Sequence, residues 1–168
     1  DKTGTITKGS LEVVEFFTAD GISIPLSELP SHGKIKGLLD LAIGKNTQSM
    51  FDAEGRVIGG NATDQALVKY LGADILKKLD ATYTVTQSQS FNSANKFSQA
   101  QLRELGKTFY KGAPEKFLAV SGKYLSLNGD IHVIDAKQLS AKIDELAGRA
   151  IRVLALAAGS NIVLLEVQ

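Results

Sequence analysis

A run of short β segments separated by brief polar turns, beginning at Tyr83, leaves this chain few choices of fold. Apolar and polar residues alternate from Tyr83 to Thr86, which is typical of a half-buried strand. Similar β-branched and apolar patterns predict strands over residues 11–18, 96–102, 108–110, 152–157 and 162–167. Because strands joined by short turns pair antiparallel, we expect a mainly antiparallel, twisted sheet.

Helical segments lie between these strands. Apolar residues recur at helical spacing over 34–45 and 136–150, and shorter helices are predicted from Thr63 to residue 72, over 75–79 and over 114–120. We expect a hairpin around Asn128-Gly129, and loops over 21–30 and 46–60, the latter with an apolar island at Val57–Ile58. The predicted fold class is therefore α+β, a sheet flanked by helices.

Composition narrows the function classes. The chain has 168 residues, 43% of them apolar, and a net charge of +1. With so small a net charge, no strong electrostatic field favours binding to nucleic acid or to an anionic membrane. No apolar run approaches the ~20 residues that span a bilayer. The absence of cysteine excludes disulfides and thiol chemistry. His32 and His132 have no partners at metal-ligand spacing, so no metal site is predicted within this chain.

Two motifs carry the strongest functional signal. The chain begins Asp-Lys-Thr-Gly-Thr at residues 1–5, and Lys-Gly-Ala-Pro-Glu follows at residues 111–115. In this order they resemble the phosphorylation and nucleotide-pocket signatures of P-type cation-transporting ATPases. The resemblance spans the whole chain and implies the nucleotide-binding domain of a type II-like pump, of a bacterial subgroup. Residues 1–9 are then expected to belong to the parent's phosphorylation domain, and residues 10–168 to form the nucleotide-binding domain.

The resemblance also implies roles at the amino terminus. Asp1 would accept the γ-phosphoryl group of ATP as an aspartyl-phosphate, with Lys2 and Thr3 holding the transferred group. Mg²⁺ near Asp1 and Thr3 in the parent would neutralise charge.

The implied nucleotide site is made of Thr63, Asp64, Phe91, Lys96, Lys111, Gly112 and Arg152. Phe91 would stack on adenine, where a base stacked on an aromatic ring gains about 1–3 kcal/mol. Lys96 and Lys111 would line the adenine cavity, with Gly112 allowing close backbone approach. Asp64 would contact the adenine amino group from the helix start at Thr63, and Arg152 would reach the phosphates.

Some of these residues have other readings. Thr63 and Asp64 could instead satisfy the free N–H groups of an ordinary helix start. Asp64 is one methylene shorter than the glutamate usual in the family. Ser93 and Asn95 stand where many animal pumps carry arginines, which leaves nucleotide affinity and phosphate orientation open.

The expected function is delivery of the γ-phosphate of ATP to the signature aspartate of a cation pump, with calcium as the suggested ion. Implied partners are ATP and the phosphorylation and actuator domains of the same pump. We expect a monomer without nucleic-acid or membrane contacts, on the cytoplasmic side of a bacterial plasma membrane. The isolated chain should be inactive and bind nucleotide at around millimolar Kd, or ~4 kcal/mol.

Two alternatives remain at this point. A docking pseudo-domain would have lost nucleotide binding and would only contact partners. A free-standing phosphatase of the haloacid-dehalogenase group shares the Asp-x-x-x-Thr start, but needs a second aspartate where Thr3 stands.

Overall fold

The computed structural model describes residues 11–118 and 122–159, and the backbone alone of 161–167. Over these residues the molecule is a twisted sheet with helices on both faces. The strands are β1 (Val13–Phe17), β2 (Ser23–Ile24), β3 (Met50–Phe51), β4 (Val57–Ile58), β5 (Val85–Gln89), β6 (Phe97–Leu102), β7 (Lys107–Gly112), β8 (Lys123–Leu125), β9 (Ile131–Val133), β10 (Arg152–Ala158) and β11 (Asn161–Val167). The helices are α1 (Gly33–Gly44), α2 (Ala62–Leu71), α3 (Ala73–Thr82), α4 (Pro114–Leu118) and α5 (Ala136–Gly148), with a 3₁₀ helix at Leu26–Ser31.

The main sheet confirms the predicted antiparallel α+β architecture. Within the described residues its strand order is β2-β1-β11-β10-β7-β6-β5, and neighbours along this path pair antiparallel. The exception lies off the path, where β8 pairs parallel with β11 while β9 returns antiparallel to β8. The predicted turn at Asn128-Gly129 joins β8 to β9, and Gly129 has a φ of 87°.

Two apolar clusters hold the helices against the sheet. Helix α1 buries Ile35, Leu39, Ala42 and Ile43, whose spacing of four, three and one residues forms a continuous stripe. This stripe packs with residues of α2, α3 and the sheet in one cluster. On the opposite face, α4 and α5 contribute to a second cluster that contains Phe17 and Ala155.

Two predicted loops contain more structure than expected. Residues 21–30 include β2 and most of the 3₁₀ helix, and residues 46–60 include the β3–β4 hairpin, which forms a separate two-stranded sheet. Each of these strands is two residues long, too short for an alternating pattern to appear in the sequence. Helix α3, at Ala73–Thr82, is also longer than the predicted helix over 75–79.

Among the described residues, none of the helices has the length and apolar character required to cross a membrane. The predicted phosphorylation segment, residues 1–9, lies outside the described residues.

Candidate functional site

A cavity of about 220 Å³, lined mostly by polar residue types, opens where three parts of the fold meet. Residues 45–48, which follow α1, form one wall, and Asp64 at the start of α2 lies beside them. The remaining lining comes from β5 and β6 and the segment between them, including Phe91 and Ser98. Phe91 and Asp64, predicted separately from the sequence, therefore line the same cavity.

A buried ion pair fixes Asp64 at this cavity. The Nζ atom of Lys111 lies 2.6 Å from Oδ1 of Asp64 and also donates to the backbone carbonyl of Asn46. Burial lowers the pKa of Lys111, and the charge and hydrogen bond of Asp64 oppose that shift. Lys111 itself is not among the residues that line the cavity. The arrangement therefore presents a carboxylate to the cavity and places its lysine partner outside the lining.

The start of α2 is built by residues other than those first considered. The side chain of Asn61 accepts a hydrogen bond from the backbone N–H of Asp64 at 2.8 Å, so Asn61 is the N-cap. Gly60 precedes it with a φ of 69°, and a Cβ there would lie 2.5 Å from Oγ of Ser49. The alternative in which the Thr63 and Asp64 side chains cap the helix is therefore wrong, and the Asp64 carboxylate is left for Lys111.

Phe91 is held at the edge of the cavity by the turn that follows it. The residue is 48% exposed, so one part of the ring is open to solvent. The Asn92 side chain accepts from the Asn95 N–H at 2.7 Å, and the Asn92 carbonyl accepts from the Lys96 N–H at 2.8 Å. These bonds close the turn, so the chain leaves the cavity directly after Phe91.

Lys96 and Gly112 meet through their backbones and not at the cavity lining. Lys96 has a φ of 62°, and its carbonyl accepts from the Ala113 N–H at 3.0 Å. A Cβ on Gly112 would lie 2.6 Å from Cα of Phe97 and closer still to the Lys96 carbonyl oxygen. Gly112 thus permits close approach between β6 and β7. The Lys96 side chain, in contrast, is exposed. Their predicted contacts with nucleotide stay predictions.

Arg152 and Thr63 form a second contact between remote segments. A guanidinium nitrogen of Arg152 donates to Oγ1 of Thr63 at 3.0 Å, which joins the first residue of β10 to the first turn of α2. Neither residue lines the cavity, and Arg152 is exposed. The side chain of Arg152 remains accessible to an anion from solvent.

Several polar residues of the site were not predicted from the sequence. The buried Asn46 amide donates to the carbonyls of Ser98 at 3.2 Å and Phe109 at 3.4 Å, and the Gln48 amide donates to Oγ of Ser90 at 3.0 Å. Ser98 had a detectable signal, because it falls on the inward phase of β6 with Ala100 and Leu102. Asn46 had no such signal, because an asparagine just after a helix is ordinarily explained as part of the helix C-cap.

The described part of the chain contains no group of three or more histidine, cysteine, aspartate or glutamate side chains placed to hold a metal ion. The residues implied for Mg²⁺ and phosphoryl transfer, Asp1, Lys2 and Thr3, lie outside the described residues.

Comparison with known proteins gives relatives among calcium pumps. The chain is 29% identical to calcium-transporting ATPase 7, plasma membrane-type, of Oryza sativa subsp. japonica and 30% identical to calcium-transporting ATPase 9, plasma membrane-type, of Arabidopsis thaliana. Each alignment covers 94% of this chain but 16% of the relative. Calcium-transporting ATPase 1 of Schizosaccharomyces pombe is 26% identical over 96% of this chain and 20% of its own length.

The chain thus spans about a sixth to a fifth of the length of these relatives. They are plant and yeast proteins, so they lend no support to the expected bacterial origin. They also do not favour the docking or phosphatase alternatives. Residues 36–161 match the family model described as P-type ATPase, cytoplasmic domain N. The chain therefore belongs to the family of P-type ATPase cytoplasmic N domains.

Proposed function

We propose that the cavity binds the adenine base of ATP and that this chain is the nucleotide-binding part of a calcium-transporting P-type ATPase. One observation carries the proposal. An exposed aromatic ring, Phe91, and a buried carboxylate, Asp64, come from remote segments and line one cavity. Stacking and a fixed hydrogen-bond acceptor are the two elements needed to hold a base.

The charge of Asp64 gives the cavity a preference between purines. A carboxylate accepts hydrogen bonds and does not donate them. It therefore suits the exocyclic amino group of adenine and repels the carbonyl oxygen that guanine carries at the same position. The buried ion pair with Lys111 keeps this acceptor in one position, so the cavity does not have to reorganise when the base enters.

The phosphates would extend from the cavity towards exposed cations. Arg152, oriented by its hydrogen bond to Thr63, is one candidate, and the exposed Lys96 is another. Ser93 and Asn95, in the turn after Phe91, are uncharged, so Lys96 is the cation that this turn supplies. We therefore expect weak, millimolar binding by the chain alone.

In the parent pump this chain would present the γ-phosphate of ATP to the aspartate of the phosphorylation signature, Asp1. Hinge motion relative to the phosphorylation and actuator domains would bring the two together. Mg²⁺ would supply charge neutralisation for the transferred phosphoryl group. The whole protein would then work as a cation pump on the cytoplasmic side of a membrane, with calcium as the cation because the relatives are named calcium-transporting ATPases. The isolated chain would bind ATP as a monomer without hydrolysing it.

Replacing Phe91 by alanine tests the base site. We expect Phe91→Ala to lose the stacking contribution of about 1–3 kcal/mol, which weakens ATP affinity roughly 5- to 150-fold. Phe91→Trp should retain most of the affinity because it keeps an aromatic face. Isothermal titration calorimetry with ATP on each variant measures the change.

A matched control is Val133→Ala on β9, where the side chain is 78% exposed and outside the cavity lining. It should leave ATP affinity unchanged. Equal ATP affinities for the native chain and Phe91→Ala would show that the base does not bind in this cavity.

A further inference from the structure

A second cavity, of about 700 Å³, opens beside the start of β7. Helix α1 contributes Lys34, Leu38 and Leu41 to its wall, and the β6–β7 turn contributes residues 105–107. Residues of β7, of β8 and of the end of β10 complete the lining. It shares no lining residue with the cavity that contains Asp64, so the two are separate sites.

Apolar side chains supply much of the lining of this second cavity. Phe109 of β7 and Leu125 of β8 are buried, and Leu38 and Leu41 of α1 are half-buried. Leu105 lies on the β6–β7 turn and is 41% exposed. Leucine is not favoured in tight turns, where glycine, proline, asparagine, aspartate and serine dominate. Its exposed side chain therefore offers a partner an apolar surface to contact.

Two lysines line the same cavity without an acidic partner among the described residues. Lys34 and Lys107 are exposed, and within the described ranges the side chain of neither makes a hydrogen bond or an ion pair. A Cβ on Gly129 would lie 2.6 Å from Cδ of Lys34, so the stem of this lysine packs over the β8–β9 turn. Glu104, the acidic residue of the β6–β7 turn, is already engaged, because its carboxylate accepts from the Thr84 N–H at 2.7 Å.

We propose that this cavity docks an acidic, amphipathic segment of a second protein. Apolar side chains of the segment would enter the cavity, and its aspartate or glutamate side chains would pair with Lys34 and Lys107. Charge complementarity at an interface selects the partner in this way. The two lysines come from different elements, α1 and β7, which suits acidic residues on both sides of an apolar centre. A fatty acid, the alternative occupant, offers a single carboxylate to both lysines.

The probe is the blocked hexapeptide Glu-Asp-Leu-Phe-Asp-Glu, which surrounds an apolar pair with acidic residues. Amide NMR of the native chain, titrated to about 5 mM peptide, should show saturable shifts at Leu38, Leu105, Lys107 and Phe109. The same peptide with lysine in place of each acidic residue should not bind. A version with alanine in place of the Leu-Phe pair should bind more weakly, and added salt should weaken binding of the acidic peptide.

Paired substitutions test the two lysines. Lys34→Gln with Lys107→Gln should weaken binding of the acidic peptide about 2- to 30-fold, the range for two exposed ion pairs. The matched control is Lys77→Gln with Lys78→Gln on α3, which changes the net charge equally outside both cavities and should leave peptide affinity unchanged. The reversed pair, Lys34→Glu with Lys107→Glu, should bind the lysine peptide and lose the acidic one.

Several results would overturn the docking site. They are no saturable shift with the acidic peptide, unchanged peptide affinity in Lys34→Gln with Lys107→Gln, or an equal loss of affinity in the α3 control. Saturable binding of octanoate at these residues without binding of the peptide would also overturn it, because the cavity would then serve small amphiphiles. The inference does not rest on nucleotide binding, so failure of ATP to bind the native chain would overturn the proposed function alone.

Discussion

Lys111→Met is expected to lower the free energy of unfolding by about 3–5 kcal/mol, the usual effect of breaking a buried ion pair. The substitution preserves most of the side-chain volume but removes the ammonium group that lies 2.6 Å from Asp64. It leaves a buried carboxylate without its cation and the Asn46 carbonyl without this donor. Urea denaturation followed by circular dichroism measures the change.

Two further variants separate charge pairing from packing. Lys45→Met removes a lysine whose partner Asp80 is largely exposed, 2.9 Å away, and should cost no more than about 1 kcal/mol. The double variant Lys111→Met with Asp64→Leu should recover most of the lost stability, because an apolar pair of similar volume replaces the ion pair. If the double variant were no more stable than Lys111→Met, the two charges would not be coupled as the structure shows.

Gly112→Ala is expected to destabilise the fold by about 3 kcal/mol, at the upper end for overpacking. The added methyl group would lie 2.6 Å from Cα of Phe97 and even closer to the Lys96 carbonyl. Both obstacles are backbone atoms, one in β6 and one in the residue directly before it, which accepts from the Ala113 N–H, so neither can move without disturbing the pairing of β6 with β7. Thermal and urea denaturation both measure the effect.

Gly37→Ala adds the same methyl group, but we expect it to raise the free energy of unfolding. Gly37 lies on the exposed side of α1, and a Cβ there meets nothing within 4 Å. Alanine in a helix interior is favoured over glycine by about 0.8–1.0 kcal/mol, so this variant should be more stable than the native chain. Equal effects at the two positions would show that β6 and β7 do not approach as closely as described.

The fold was largely predictable because its main elements are long enough to show their periodicity. The stripe of α1 and the alternation from Tyr83 to Thr86 that leads into β5 appear directly in the sequence, and Asn128-Gly129 marks the turn between β8 and β9. The hairpin of β3 and β4 and the strand β2 were missed, since a two-residue strand has no period. Tertiary contacts decide such strands, and local sequence carries little information about them.

The candidate site was predictable in its parts but not in its arrangement. Asp64 and Phe91 were found by motif, and the structure brings both to one cavity. The link between Lys111 and Asp64 spans 47 residues, so sequence spacing does not reveal it. Motif comparison placed Lys111 at the cavity wall, whereas the fold uses it to position a carboxylate. Asn46 belongs to no motif and Ser98 was given no role from the sequence, and only the packed sheet shows their contacts.

These findings give the Lys-Gly pair at residues 111 and 112 a structural explanation before any ligand is considered. The lysine pairs with Asp64, and the glycine allows β7 to lie close to β6 opposite Phe97. The proposed nucleotide site would therefore depend on the core of the domain. Substitutions at either position should therefore change stability and affinity together, while Phe91→Ala should change affinity alone.

Mapping the amide NMR shifts of the native chain during titration with ATP, AMP and GTP tests the central claim most directly. With binding expected near millimolar Kd, the titration should extend to about 10 mM ligand. The account predicts saturable shifts for ATP and AMP at Gln48, Asp64, Phe91 and Ser98, and much smaller shifts for GTP. No saturable shifts, or shifts confined to residues away from this cavity, would contradict it.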